Sequence, residues 1–366
     1  MILLAVILTA GSLVVSAGLT ALVKSLATRT GFVAHPSADR YHATVVPLGG
    51  GIAIFATLSV IIAAGVGIVK FLVDPGHFTW LADRTDIDPA HFLAKTNQLG
   101  IILLCAFMLF VLGLWDDKKR LGPFLKLAVQ FTVAMVAARW GEVRVELFIE
   151  NQLVASALSA VWIVLIINAF NFLDNMDGAA AGIAVIAGSI LFTAAATSGQ
   201  VLVGGLALVF IGTLLGFLLF NFPPAKIFMG DAGSLVVGFF VALLSLRTTY
   251  YQETQSGRWY PVLMPLVVMA VPLYDFASVT VLRLSQGKSP FVGDTQHFSH
   301  RLKRRGLTDR QTVLTLYLAT LCTGLGATFL YQVSRAGAIL IFVQTVMVLC
   351  IIAVLETGGR NDIGGS

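Results

Sequence analysis

The sequence predicts an all-α integral membrane protein, a polytopic bundle of about eleven transmembrane helices. Composition is the first reason: of 366 residues, 57% are hydrophobic and only 12% are charged, and the mean hydropathy is +0.88. A soluble domain carries about 25% charged residues. This chain therefore has too few polar side chains to cover a surface in water, which assigns it to the membrane class.

The second reason is the length of the apolar stretches, since a helix needs about 20 mainly apolar residues to cross a bilayer. Eleven such stretches cover approximately residues 2–23, 50–72, 98–115, 123–138, 153–170, 178–196, 200–220, 233–246, 261–283, 311–332 and 335–355. The first lacks a basic leader and is longer than the apolar region of a signal peptide, which indicates a true span. We expect residues 1–356 to form one integral-membrane domain, followed by a disordered tail at 357–366.

The basic residues predict the orientation in the membrane. Loops alternate between the two faces, and the odd-numbered loops carry fifteen Lys and Arg residues against eight in the even-numbered loops. Cytoplasmic loops are the ones that carry such an excess. We therefore expect a multi-pass protein of the inner (plasma) membrane with its N-terminus outside and its C-terminus in the cytoplasm. The net charge of +5 reflects this topology and does not indicate nucleic-acid binding.

Four polar clusters stand out against the apolar background. They cover residues 115–119, 168–178, 228–234 and 294–302. Each cluster lies in an odd-numbered loop, so all four are predicted to share the cytoplasmic face. No soluble domain is predicted, and any chemistry is therefore expected at the membrane surface.

Three of the clusters have a purely structural interpretation when each is taken alone. Asp116 and Asp117 are consistent with a solvated helix end that the two following lysines balance. Asp231, which lies among small residues, is consistent with an N-cap of the eighth span. His297 and His300 are consistent with loop histidines in solvent, and the basic residues after them with an anchor for anionic lipid headgroups.

The central cluster is harder to explain structurally. Asn171, Asp174 and Asp177 recur at every third position, so neighbours in the series share a helix face. They adjoin an apolar stretch close to the hydrocarbon, where acidic residues are costly and usually belong to a site or a pathway. A functional role is therefore favoured for this cluster.

Together the four clusters indicate a metal-dependent chemistry of phosphates. Carboxylate and carboxamide oxygens suit Mg²⁺, which usually takes one or two protein carboxylates together with substrate phosphates. The histidines and the arginine beside them suit phosphate charge. The three cysteines all lie within apolar spans without metal-ligand spacing, so neither a zinc site nor a disulfide is expected. We expect Mg²⁺ as the cofactor, with Mn²⁺ as a substitute.

The same clusters carry a resemblance to a known family. Leu-Gly-Leu-Trp-Asp-Asp, Asn-Ala-Phe-Asn-Phe-Leu-Asp-Asn-Met-Asp-Gly, Met-Gly-Asp-Ala-Gly-Ser and Pro-Leu-Tyr-Asp occur in this order, followed by His-Phe-Ser-His-Arg. They resemble the motifs of the polyprenyl-phosphate N-acetylhexosamine-1-phosphate transferases, glycosyltransferase family 4, over roughly residues 35–315. The early segment at 35–50 resembles that family's first cytoplasmic loop.

Two positions depart from the family's pattern. Asn175 stands where the family commonly has glycine, and Ser299 stands where relatives usually carry one of two adjacent histidines. The histidine segment is more similar to the bacterial UDP-GlcNAc:undecaprenyl-phosphate GlcNAc-1-phosphate transferase branch than to the branch that uses UDP-MurNAc-pentapeptide.

The resemblance implies a role for each matching residue. Asp231 and Asn171 would bind Mg²⁺, and Asp116 and Asp117 would position or deprotonate the lipid phosphate. The remaining matches would contact the donor, and they are Asp174 and Asp177 at the nucleotide and His297, His300 and Arg301 at the diphosphate or sugar.

The reaction that the resemblance implies is the transfer of a sugar 1-phosphate, above all GlcNAc 1-phosphate, from a UDP-sugar to undecaprenyl or another polyprenyl phosphate. UMP would be released, in the first membrane step of a cell-envelope polysaccharide. The alternatives are phospho-MurNAc-pentapeptide transfer, an intramembrane prenyltransferase, which would need a second aspartate-rich motif, and a transporter, which would place polar residues near the bilayer midplane. Membrane lipids are further expected partners, and a homodimer is left open.

Overall fold

The computed structural model describes residues 2–34, 45–77, 88–145, 149–248, 259–289 and 297–357. The helices are α1 Ile2–Thr30, α2 Gly50–Ile68, α3 Pro89–Ala94, α4 Thr96–Lys118, α5 Pro123–Arg139, α6 Gln152–Leu173, α7 Ala179–Thr197, α8 Val201–Asn221, α9 Asp231–Arg247, α10 Met264–Val268, α11 Ala270–Ser285, α12 Phe298–Lys303, α13 Asp309–Thr328 and α14 Arg335–Thr357. Two short antiparallel strands, β1 Val33–Ala34 and β2 Val46–Pro47, follow α1. Residues 35–44 of the early loop and most of the predicted tail lie outside the described residues.

The all-α membrane fold is confirmed, because each of the eleven predicted stretches is largely helical in the structure. Within the described residues, seven helices are long and apolar enough to cross a bilayer. The stretch predicted at 261–283 is a helix pair bent by 64°, which would make an eighth span. Helices α5 and α9 are too short to be counted among these spans, and α13 is not apolar enough. The number of eleven spans therefore stays a prediction.

Helix α9 is the centre of the bundle. All of its residues from Ala232 to Ser245 are buried, and it packs against α2, α4, α6, α7 and α8. A helix that is apolar on all sides belongs inside a bundle. In helix α1, by contrast, the buried positions are few and include Ser12, Ser16 and Thr20. The five helices that pack against α9 therefore fix the position of its first turn.

Two glycines allow the helices around α9 to approach its first turn closely. A Cβ atom added to Gly113 of α4 would lie 2.4 Å from backbone atoms of Ala232, and one added to Gly51 of α2 would lie 2.3 Å from the backbone nitrogen of Gly233. Small residues at helix crossings let backbones pack this tightly inside membranes. Because Asp116 and Asp117 follow Gly113 by about one turn, this crossing brings them to the N-terminus of α9.

The two ends of the bundle carry different polar residues. At one end, Glu142 Oε2 lies 3.8 Å from Lys95 Nζ and 3.8 Å from Arg247 Nη1, and all three residues come from the predicted even-numbered loops. The four polar clusters of the odd-numbered loops meet at the other end, through the contacts described below. The prediction that these clusters share one face of the protein is confirmed.

Candidate active site

The carboxylate of Asp117 caps a helix to which it does not belong. Its Oδ1 accepts a hydrogen bond from the backbone N–H of Asp231 at 2.9 Å, and its Oδ2 accepts one from Ala232 at 3.2 Å. The first N–H groups of a helix have no partner within the helix and carry partial positive charge, which an anion stabilises. Gly230, the N-cap residue of α9, has a φ of 71° and supplies no side-chain cap. A Cβ atom on Gly230 would lie 2.7 Å from Asp117 Oδ2, so glycine makes room for this contact.

Lys126 joins two of the predicted aspartates. Its Nζ lies 2.8 Å from Asp116 Oδ2 and 2.6 Å from Asp231 Oδ2. The three side chains are only 17%, 14% and 28% exposed, respectively, so this ion triad is largely withdrawn from water. Asp116 is held further by the backbone N–H of Leu121, which donates to Oδ1 at 2.6 Å.

Asn171 completes the cluster from α6. Its Nδ2 donates to Asp231 Oδ1 at 3.1 Å and to Ser234 Oγ at 2.9 Å, and its amide oxygen takes part in neither bond. The interpretation of Asp231 as an N-cap is wrong. Asp231 is the first residue of α9, and its carboxylate points to Lys126 and Asn171 because Asp117 already occupies the free N–H groups.

Asp174 and Asp177 follow the end of α6, where the chain turns into α7. Asp177 Oδ2 accepts a hydrogen bond from the backbone N–H of Ala225 at 2.8 Å, in the loop that leads to α9. Gly178 adds to this connection, because its N–H donates to Asn221 Oδ1 at 3.0 Å. Asp174 is the C-cap residue of α6 and is partly exposed. Asp177 therefore supports the α8–α9 loop, and Asp174 lies one turn after Asn171 at the end of α6.

The histidine segment forms the short helix α12, which Asp275 holds at its start. Asp275 is 1% exposed; its Oδ2 lies 3.1 Å from His297 Nδ1, and its Oδ1 accepts the backbone N–H of Phe298 at 2.9 Å. The His297 ring packs edge-on against Phe172, which directly follows Asn171 in α6. The imidazole is thus fixed in orientation against the end of α6, the helix that also bears Asn171. The side chain of His300 lies outside the described part of the chain.

The two positions that depart from the family's pattern contact each other. Ser299 Oγ donates a hydrogen bond to Asn175 Oδ1, which ties α12 to the turn after α6. Arg301, on the same short helix, donates from Nη2 to Ser278 Oγ at 2.8 Å. The histidine segment is therefore joined to the central cluster by direct contacts, and the sequence positions of these residues do not reveal that.

Comparison with known proteins identifies the family. Residues 99–249 match the model of glycosyl transferase family 4. A probable undecaprenyl-phosphate N-acetylglucosaminyl 1-phosphate transferase of Bacillus subtilis is 33% identical over 82% of this chain and 77% of its own length. The chain belongs to glycosyl transferase family 4. It is therefore a membrane phosphotransferase.

Other members of family 4 show the same range of similarity. The decaprenyl-phosphate N-acetylglucosaminephosphotransferase of Mycobacterium tuberculosis is 30% identical over 81% of this chain and 75% of its own length. The undecaprenyl-phosphate alpha-N-acetylglucosaminyl 1-phosphate transferase of Escherichia coli is 27% identical over 81% and 76%, respectively. The similarity to these family 4 transferases thus extends over most of the chain.

The donor atoms of this family 4 transferase fit a hard divalent cation. The carboxylates of Asp116 and Asp231 contact the ammonium of Lys126, and the carboxylate of Asp117 lies on the backbone N–H of Asp231, so acidic groups outnumber basic ones in this cluster. Among the described residues, no three His, Cys, Asp or Glu side chains converge as a closed metal cage. Mg²⁺ does not need one, since substrate phosphates and water complete its shell. The groups that would hold such a cation are the Asp231 carboxylate and the side-chain amide of Asn171, whose Nδ2 lies 3.1 Å from Asp231 Oδ1.

Lys126 belongs to the site but to none of the four polar clusters of the sequence, where it resembles the other basic residues near the odd-numbered loops. It lies 105 positions from Asp231 in the sequence, and nothing in the local pattern joins the two. One signal was available: Lys126 lies in the first turn of an apolar stretch predicted to span the membrane, where a charge is expensive unless it has a partner.

The substitution Asp231→Asn tests the cluster. Asparagine keeps the shape and one oxygen, but removes the charge that faces Lys126 and the proposed metal. Losing one electrostatic partner of the transition state typically costs on the order of 10²–10³ in rate. We expect a loss of at least that size in the transferase activity of the purified protein, measured across a Mg²⁺ titration.

A matched control is Asp88→Asn. Asp88 caps α3, with its Oδ1 accepting the N–H of Ala90 at 3.0 Å, and asparagine caps a helix as well as aspartate. This variant should keep normal activity. An Asp231→Asn protein that is as active as the Asp88→Asn protein would remove Asp231 from the site.

Proposed function

We propose that the protein transfers GlcNAc 1-phosphate from UDP-GlcNAc to undecaprenyl phosphate and releases UMP, as the first membrane step of a cell-envelope polysaccharide. The observation that carries the proposal is the meeting of the carboxylate cluster with the helix that bears His297 and Arg301 at one end of the bundle. The names of the family 4 relatives support the same reaction.

In the proposed reaction, an oxygen of the lipid phosphate attacks the phosphorus that carries the sugar, and the bond from that phosphorus to UMP breaks. The second pKa of a phosphate monoester is about 6, so the lipid phosphate is largely dianionic at neutral pH and needs no base. Lys126 positions this phosphate, since its ammonium can donate hydrogen bonds to it. Asp116 contributes by holding that ammonium in place. Both oxygens of Asp117 already accept backbone N–H groups, so we assign Asp117 the task of holding α9.

The charge of the donor is balanced by residues around the cluster. Mg²⁺ or Mn²⁺, held by Asp231 and Asn171, would offset the negative charge of the diphosphate. His297, His300 and Arg301 would contact the diphosphate or the sugar, where fixed donors are worth most because they need no reorganisation. Asp174 and Asp177 would lie on the nucleotide side, next to the loop that Asp177 supports.

The lipid is proposed to reach the site sideways from the bilayer, between α4 and α5. Trp115 and Phe124 are 54% and 78% exposed and lie next to Asp116 and Lys126 in sequence. Tryptophan and other aromatic residues are enriched at the level of the headgroups. Exposed aromatic side chains beside an ammonium that can bind phosphate suit an acceptor with a long hydrocarbon tail and a charged head.

Donor choice is tested with purified protein in detergent. UMP release is measured with undecaprenyl phosphate and a panel of UDP-sugars that includes UDP-GlcNAc and UDP-MurNAc-pentapeptide. We expect UDP-GlcNAc to be the preferred donor, because the histidine segment is similar to the GlcNAc branch. Turnover of the peptide-bearing donor alone would overturn this choice, and absence of UMP with every UDP-sugar would overturn the reaction.

The active end of the bundle is proposed to face the cytoplasm, with the N-terminus outside and the C-terminus inside. The support is the excess of fifteen basic residues in the odd-numbered loops over eight in the others. A topology reporter fused after Ser366 should therefore show a cytoplasmic position. The same reporter inserted at Gly199, between α7 and α8, should show the opposite one. Reversed signals would contradict the orientation.

A further inference from the structure

The last helix of the chain ends in a buried acidic residue. Glu356 lies in the final turn of α14, and its side chain is only 3% exposed. Its Oε2 lies 3.1 Å from Arg301 Nη2 and accepts a hydrogen bond from the Tyr274 hydroxyl at 3.3 Å. Its backbone oxygen accepts a hydrogen bond from Arg305 Nη2 at 2.7 Å. Glu356 therefore binds both ends of the segment that follows the histidines.

Helix α11, which contributes Tyr274, also holds the start of α12. Tyr274 and Asp275 are adjacent on α11: Tyr274 packs edge-on against Phe298, and Asp275 binds the Phe298 N–H and the His297 ring. Arg301 lies one helical turn after His297, and its backbone N–H donates to the His297 oxygen at 3.0 Å. The orientation of Arg301 and that of His297 are thus fixed on one short helix, from two sides.

A carboxylate as buried as that of Glu356 is costly unless it has a specific partner. Taking an ion pair out of water costs more than it returns unless the geometry is good and the remaining atoms are satisfied. Here Glu356 Oε1 and Arg301 Nε have no hydrogen-bond partner among the described residues. The pair is therefore a poor means of stabilising the fold, and its value lies in the direction that it gives to the guanidinium.

We propose that Glu356 is a positioning residue of the transfer reaction, which fixes the Arg301 guanidinium toward the diphosphate of the donor. The inference rests on the proposed function, in which Arg301 contacts the donor. It assigns the final turn of α14, far from the family motifs in sequence, to the donor side of the active site. The acceptor side, around Lys126, does not depend on it.

The variant Glu356→Gln isolates the charge, because glutamine keeps the shape and an oxygen that can accept from Tyr274. We expect KM for UDP-GlcNAc to rise about tenfold, a size typical of coupled residues in one network. KM for undecaprenyl phosphate should stay unchanged. A fall in KM for the donor would overturn the proposal, because it would mean that Glu356 competes with the diphosphate for Arg301.

A double-mutant cycle separates positioning from a structural role. In the Arg301→Ala background, Glu356→Gln should cause no further loss of kcat/KM for the donor. Additive losses would show that Glu356 acts through Tyr274 or Arg305 and would overturn the proposal. Glu142→Gln is the control, since the Glu142 carboxylate lies 3.8 Å from the charged groups of Lys95 and Arg247 at the opposite end of the bundle. It should leave both KM values unchanged.

If Glu356→Gln does not fold, Tyr274→Phe keeps the proposal testable. It removes one hydrogen bond to Glu356 and leaves the pair with Arg301 intact. We expect a smaller rise of KM for the donor that disappears in the Arg301→Ala background. An unchanged donor KM, or a rise that persists in that background, would contradict the positioning role. An inactive wild-type protein would instead contradict the proposed function, so the two failures are distinguishable.

Discussion

The site depends on the docking of α4 against the N-terminus of α9. Asp117 binds the first two N–H groups of α9, and Gly113 allows the backbones to meet. Because α9 is buried on all sides, its first turn cannot shift without disturbing the five helices around it. One contact between residues far apart in the sequence thus sets where Asp116 and Asp231 lie.

Acidic side chains outnumber basic ones where α4 meets α9. Lys126 contacts the carboxylates of Asp116 and Asp231, and the carboxylate of Asp117 lies on the N-terminus of α9, where water is partly excluded. Such an arrangement favours cations, and the helix with His297 and Arg301 then supplies groups for an anion beside it. A divalent cation and a diphosphate would satisfy both parts. In the proposed function, a metal side is thus separate from a donor side that α11 and α14 support.

The helices and the shared face of the polar clusters could be predicted from the sequence, because apolar length and loop alternation are local properties. Contacts between distant residues could not. The pairing of Lys126 with Asp231, the capping of α9 by Asp117 and the tie between Asn175 and Ser299 all depend on how the helices cross. The central position of α9 was also hidden, since a short apolar stretch has the same composition whether it faces lipid or protein.

The most direct test of this account compares two glycines of the same helix. Gly113→Ala places a Cβ atom 2.4 Å from the backbone of Ala232, whereas a Cβ atom on Gly100 meets nothing within 4 Å. A shift of about 1 Å in a catalytic arrangement can cost roughly 10²-fold in rate. Transferase activity, measured on purified proteins of equal purity, should fall by about that factor in Gly113→Ala and stay normal in Gly100→Ala. Equal activity of the two variants would contradict the claim that the α4–α9 crossing builds the site.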